Sequence, residues 1–213
     1  MTAERAYGGV SAGDRRAARR ERLVEAVLDL VGAGGVASLT VTAVCRKAGL
    51  NERYFYESFA DRNEALAAAA DHVAEVLVLR ILERLAAADE DQHARVTAAV
   101  GAAVDVLTDD PRKGALFLEA GSTPALAERR QALAGSFIEL LLSQALATLH
   151  LTRTPEVEKG GLVAATHLFG GTLETIGAFL GGRLPVTRDE LVELNVQMFL
   201  GVAGRVEHLF EHE

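Results

Sequence analysis

The feature that most constrains this chain is where its helices can begin. Apolar residues recur three and four positions apart almost throughout, and the breaks carry helix-start chemistry. Three of the four prolines follow a side chain able to cap: Asp110-Pro111, Thr123-Pro124 and Thr154-Pro155. Proline at the first helical position gives up only an N–H without an intrahelical partner, and the Asp or Thr before it accepts from the orphan N–H groups. A fourth start is the capping box Thr187 to Glu190, with Val186 and Leu191 as its apolar staple. No run alternates with the period of a strand. The chain is therefore expected to be all-α, with about nine helices packed on one another.

The first helix presents Leu23, Val24, Val27, Leu30 and Val31 on one face, beginning near Asp14 and ending at Gly32, Gly34 and Gly35. Thr40 is the natural N-cap of a second helix, with Val41, Val44 and Ala48 on its inner face and Gly49 as its stop. A long helix follows from about Asp61, with Glu64 at its third position.

Between Gly49 and Asp61 lies LNERYFYESF. The chain has eight Phe, three Tyr and no Trp, yet Tyr54, Phe55, Tyr56 and Phe59 fall in this one polar segment. With Asn51 as N-cap of a short third helix, Leu50 and Phe55 form a hydrophobic staple. At 100° per residue Phe55 and Phe59 share the face that must pack inward, while Arg53 and Glu57 lie opposite. Tyr54 and Tyr56 fall on the flanks, where a ring can lie on sugar or a thymine methyl and a hydroxyl can bond phosphate. Helix, glycine turn and short helix with a polar outer side is the helix-turn-helix arrangement, although a plain helical hairpin shares the glycine turn.

A net charge of −8 argues, taken whole, against a nucleic-acid partner, but the distribution does not. Residues 1–62 carry ten Lys/Arg against eight Asp/Glu, and the remainder carries twelve against twenty-two. Arg15, Arg16, Arg19 and Arg20 sit on one short segment. A small cationic end on an acidic body suits a phosphate contact without general stickiness.

These residues carry a resemblance. TVTAVCRKAGLNERYFYESFADRNEAL, Thr40 to Leu66, resembles the DNA-binding segment of TetR-family transcriptional regulators. There a Thr opens the second helix and Ala-Gly precedes a Val-Ser turn. An aromatic or Leu followed by Tyr closes the third helix, and a Phe, then Ser-Lys, leads into the fourth. This chain supplies Thr40, Ala48-Gly49, Leu50-Asn51, Phe55-Tyr56, Phe59 and Asp61-Arg62. It departs at Cys45, Arg53, Tyr54 and Ser58, so base preference cannot be carried over. The likeness covers about residues 15 to 66.

The resemblance implies phosphate contacts for Tyr56 and Arg62. Thr40 and Thr42, at the start of the second helix, are candidates for backbone contacts. Arg53 is the candidate for guanine through its two-donor fork, and Asn51, Glu52 and Tyr54 are weaker candidates for base edges. Arg15, Arg16 and Arg19 would follow an adjacent groove or backbone. An acid in a first turn also simply favours the helix dipole, which is the plainer account of Glu52.

Two late helices are apolar on two sides. Gly161, Ala164, Leu168, Gly171, Thr175 and Ala178 form a stripe of mostly small residues, and Val192, Val196, Phe199 and Ala203 form a face of the last helix. A terminal helix needs one apolar face to dock, so a second points to a twofold four-helix interface, the dimer that the resemblance also implies. Simple burial within one chain is the competing account. The resemblance further implies an effector pocket, for which Phe117, Glu119, Phe137, His167, Phe169, Glu174, Asn195 and Met198 are candidates. Each is by itself as well explained by core or surface, and His167 and Glu174 could pair with each other.

The expected organisation is a disordered extension over 1–13, a helix-turn-helix DNA-binding domain over 14–62, and an effector-binding and dimerisation domain over 63–213. The expected partners are an approximately palindromic double-stranded operator, a small molecule of unknown class and a second copy of the chain. No catalytic or metal site and no cofactor is expected: the phosphate loop GxxxxGK[ST], the GxSxG elbow and HExxH are all missing, and six histidines show no ligand spacing. One cysteine allows no intrachain disulfide, and no signal-peptide core or membrane-length apolar run occurs, so a cytoplasmic protein with no membrane partner is expected. Three alternatives stay open. They are an activator of the same fold, an all-helical ligand-binding protein or enzyme that does not act on DNA, and a non-specific architectural DNA binder.

Overall fold

The computed structural model describes the backbone of residues 11–121, 123–148 and 152–210, and their side chains except at 128, 145, 147, 148 and 203–210. Nine α-helices and one 3₁₀ turn, and no strand, occur among the described residues. They are α1 (Ala12–Gly34), the 3₁₀ turn (Val36–Ser38), α2 (Val41–Ala48), α3 (Glu52–Tyr56), α4 (Arg62–Ala87), α5 (Gln92–Asp109), α6 (Pro111–Ala120), α7 (Pro124–Thr148), α8 (Pro155–Leu180) and α9 (Arg188–Phe210). No described helix is long and apolar enough to cross a membrane.

Most of the expected starts carry their caps; at Pro124 the Thr123 hydroxyl instead donates to the Glu119 carbonyl at 2.7 Å. Thr40, Asn51, Asp110 and Thr154 each accept from a backbone N–H in the first turn of their helix. Thr187 and Glu190 exchange bonds as a capping box, at 2.7 Å and 3.2 Å. α1 starts earlier than Asp14, because Ser11 and Asp14 close their own capping box at 3.0 Å and 3.1 Å. The first ten residues of the expected extension lie outside the described residues. At α4 the Asp61 carboxylate accepts from the Asn63 and Glu64 amides, while Glu64 reaches back to the Ala60 amide. α5, whose start the sequence reading leaves unassigned, is capped by Asp91 through the Ala94 amide at 2.9 Å.

The chain forms two compact units. The first holds the residues through Val73 together with Asp110–Leu126. There α1 packs on α2, α3 and α6, so its buried face is broader than a single stripe. Leu23, Val27, Leu28 and Val31 are fully buried, whereas Leu30, expected inside, is half-buried. Val44 and Cys45 of α2, Phe55 and Phe59 at α3, and Leu116 of α6 complete this core.

The second unit holds Ala74–Asp109 and the residues from Ala127 onward. α9 packs on α5 and α8, burying Val104, Ile176, Leu191, Val192 and Val196. Asn195 is buried among them and satisfied: its amide donates to the Leu191 carbonyl at 2.8 Å, and its oxygen accepts from the Thr175 hydroxyl at 3.1 Å. Asp105 of α5 is paired with both Arg84 and Arg188.

Candidate nucleic-acid interface

The turn between α2 and α3 is built by a glycine in the left-handed region. Gly49 has φ 63° and ψ 39°, its amide caps the end of α2, and the Leu50 amide bonds the Cys45 carbonyl at 3.0 Å. A Cβ at Gly49 would be strained by φ alone and would also meet the Arg22 guanidinium at 3.3 Å. That guanidinium donates to the Ala48 carbonyl at 2.5 Å, holding the end of α2 against α1. The sequence reading passes over Arg22, because an arginine on a helix flank gives no sign of a carbonyl waiting 26 residues later.

α3 is only five residues long, so tertiary contacts rather than propensity must hold it. Phe55 is fully buried, with its ring centroid 5.6 Å from that of Phe59 and 5.5 Å from that of Tyr56. Polar braces add to this anchor. The Thr42 hydroxyl donates to the Glu52 carboxylate at 2.9 Å, and Arg16 donates to the Glu57 carbonyl at 2.5 Å. The opposite face is open. The Arg53 side chain is 83% exposed and Tyr56 is 58% exposed.

The expected contact residues divide by what they already hold. Thr40 uses its hydroxyl as the α2 cap, Asn51 uses its amide oxygen as the α3 cap, and the Thr42 hydroxyl donates to the Glu52 carboxylate. Arg62 donates to the Leu39 carbonyl at 3.3 Å, bracing the segment before α2. Arg19 lies 4.6 Å over the Tyr54 ring and Arg20 lies 5.1 Å over the Phe59 ring. The α1 arginines therefore secure α3 from one side, and Arg15 lies exposed on the same helix. An open cleft of about 350 Å³ lies beside them, lined by Arg16, Arg20, Glu57 and Ser58. Cys45 is 4% exposed, and burial first and Glu52 second push its thiol up, so it packs rather than reacts.

The effector candidates fall in both units. Phe117 and Glu119 belong to the first unit, where the Glu119 carboxylate lies so close to Gly35 that a Cβ there would meet it at 2.7 Å. The other six belong to the second unit. Phe137 and Phe169 stack, with centroids 5.5 Å apart and planes 19° apart. Asn195 is used internally, and Met198 is 67% exposed. His167 does not pair with Glu174, which holds Arg183 at 3.1 Å instead. Seven residues on a helix are about 10 Å apart, whereas Arg183 follows the C-terminus of α8 and turns back along it.

The late apolar faces are also reassigned. Val192, Val196 and Ala178 are buried within the chain, Thr175 bonds Asn195, and a Cβ at Gly161 would collide with the Leu142 side chain of α7. Ala164, Leu168 and Phe199 are half-buried, and the Ala203 side chain lies outside the described residues. Of the expected stripe Gly171 stays exposed on α8, and beside it the exposed apolar residues are Leu162 and Val163 on α8 and Leu194 and Met198 on α9. Both helices are two-sided, as expected, but periodicity alone cannot say which side the chain covers itself.

The sequence matches no protein-family model and no curated protein. Solved structures do resemble the chain over most of its length. A TetR-family transcriptional regulator from Streptomyces coelicolor has a TM-score of 0.69 at 20% identity, over 92% of this chain and 84% of its own. A TetR-like transcriptional regulator from Rhodococcus sp. RHA1 has a TM-score of 0.63 at 19% identity, over 88% and 97%. The fatty acid degradation regulator FadR from Bacillus halodurans has a TM-score of 0.69 at 17% identity, over 85% and 94%. With its glycine-turned helix pair and nine described helices, the chain has the fold of the TetR-family transcriptional regulators.

Proposed function

We propose that this chain is a TetR-family transcriptional regulator that reads double-stranded DNA as a homodimer, and that it is a repressor released from an approximately palindromic operator by a small molecule. The observation that supports the reading best is the division of α3. Its phenylalanines are sealed into the first unit, while Arg53 and Tyr56 stand outward on a helix set by the Gly49 turn. Such a helix offers a guanidinium fork to guanine O6 and N7 and a phenol to phosphate. No catalytic role is assigned to any residue.

The test is selection of a preferred duplex from a randomised library, followed by footprinting upstream of the chain's own gene. Arg53→Ala is expected to weaken the selected duplex by about 1–3 kcal/mol and relax preference at one base pair. Equal losses on selected and random DNA, read by fluorescence anisotropy, would reduce Arg53 to a phosphate contact.

The dimer is assigned to the exposed face of α8 and α9, around Val163, Gly171, Leu194 and Met198. A Cβ at Gly171 meets no described atom within 4 Å, so Gly171→Trp places its added bulk on the open side of α8, where a partner would sit. Light scattering should give roughly twice the 22.6 kDa chain mass for wild type and a shift towards the single mass for the variant. An unchanged mass would place the interface elsewhere. Release by a small molecule requires reciprocal coupling: saturating operator must weaken ligand binding by the factor with which ligand weakens operator binding.

A further inference from the structure

Glu57 is the half-buried acid that caps the C-terminal end of α3, next to Arg53. Its carboxylate pairs with the Nε of Arg53 at 3.1 Å and faces Arg19 at 3.8 Å, while its own backbone carbonyl is held by Arg16. A carboxylate among three arginines on a surface meant for phosphate looks misplaced, since it repels the polymer that the arginines attract. We propose that Glu57 is the specificity-setting residue of the DNA-reading surface, and that it works by withholding Arg53 and Arg19 from phosphates while presenting Arg53 to a base. The inference rests on the reading of the chain as a DNA-binding regulator.

The geometry gives both halves of the role. The bond to Arg53 uses Nε, the inner nitrogen, which leaves the two terminal nitrogens of the fork for another acceptor. Guanine O6 and N7 can therefore be read with the Glu57 pair intact, in an orientation the pair itself helps to fix. A phosphate can take the same two nitrogens, but it then brings its charge up against the Glu57 carboxylate, which a neutral base edge does not. To use Arg53 or Arg19 it must displace the carboxylate or approach it closely, and displacing it costs a surface ion pair as well as charge repulsion. Non-specific affinity is chiefly phosphate neutralisation with counterion release, so cations already neutralised within the protein contribute little to it. The half-buried position of Glu57, with 34% of its side chain exposed, keeps the carboxylate at the base of the exposed arginine instead of swinging free.

The test is Glu57→Gln, which keeps the shape and removes the charge. The probes are a short duplex of random sequence and the duplex that the wild-type chain itself enriches from a randomised library, each titrated over about 50–200 mM salt. The variant is expected to bind the random duplex about threefold to tenfold more tightly. Its log–log salt slope there should steepen by about one unit, the mark of an added phosphate contact. On the enriched duplex it should gain nothing and lose preference at one base pair, so the ratio of specific to non-specific affinity falls. In Arg19→Ala/Arg53→Ala/Glu57→Gln the added slope should disappear, which ties it to the two released guanidiniums; an added slope that survives would mean that neither is the cation withheld and would overturn the role given to Glu57. A merely structural Glu57 would instead weaken both duplexes together with no change of slope, and that result overturns the inference while leaving the reading as a DNA-binding protein intact. A wild type that enriches no duplex at all sinks that reading and this inference with it.

Discussion

Phe55→Ala is expected to destabilise the first unit by about 3–5 kcal/mol, the cost of deleting a fully buried aromatic ring from a core that cannot close around the void. It should abolish discrimination between selected and random DNA. The ring is the main fixture of a five-residue helix that would not persist alone, and its contact with Phe59, together with the packing of α3 on α1, fixes the direction in which Arg53 points. Phe55→Leu keeps most of the volume and should cost less than half as much. Tyr56→Ala, on an exposed neighbour, should stay within about 0.5 kcal/mol in stability and still weaken DNA binding. Urea unfolding followed by circular dichroism, run beside duplex titration, separates the three. A Phe55→Ala chain with unaltered stability and discrimination would mean that the Thr42–Glu52 and Arg16–Glu57 braces hold α3 without the ring.

The contrast between these two aromatic neighbours also shows what can be read before any coordinates. Caps and staples are local, so the starts at Thr40, Asn51, Asp110, Thr154 and Thr187 are legible one helix at a time. The inward turn of Phe55 and Phe59 follows from 100° per residue once Asn51 is taken as a cap. Contacts between distant segments are another matter. Nothing in the sequence marks the Ala48 carbonyl as the partner of Arg22, or the Leu39 carbonyl as that of Arg62. Arg16, Arg19 and Arg20 read as a basic strip, and only packing reveals that they hold α3 as well. The late helices fail for a related reason. Two apolar faces on one helix are plain from spacing, but whether Val196 or Met198 is covered depends on which neighbour arrives first, and hydrophobicity does not encode that.

A second large effect is expected at a residue that neither composition nor spacing singles out. Arg112 of α6 donates to Asp110 through Nε and Nη2, at 2.9 Å and 2.8 Å, and through Nη1 to Glu25 at 3.0 Å and Asp29 at 2.6 Å. Asp29 is shared with Lys47 at 3.0 Å, so one network joins α6, α1 and the end of α2. The approach is close enough that a Cβ on Gly32 would meet the Arg112 side chain at 2.9 Å. Arg112→Met retains an apolar stem but leaves Glu25, Asp29 and Asp110 with only lysines for compensation. An exposed pair is worth less than about 1 kcal/mol. Several pairs on one half-buried guanidinium, whose loss also leaves acids facing one another, should together cost about 2–3 kcal/mol near neutral pH. The pH dependence identifies the cause. Arg112 foremost, then Lys47, holds the Asp29 carboxyl below its ordinary value, and Arg112 does the same for Asp110. Acids depressed in the folded state stabilise it above the ordinary carboxylate pKa, and that stabilisation is lost as pH falls through the depressed values. Wild type should therefore lose stability steeply below about pH 4, whereas Arg112→Met, with carboxyls nearer their ordinary values, should lose less. The gap between the two in urea unfolding should be wide near pH 7 and narrow near pH 3, and it should shrink in high salt. A gap of the same size at both pH values would assign the contribution of Arg112 to the packing of the guanidinium end, which Met lacks, rather than to its charge.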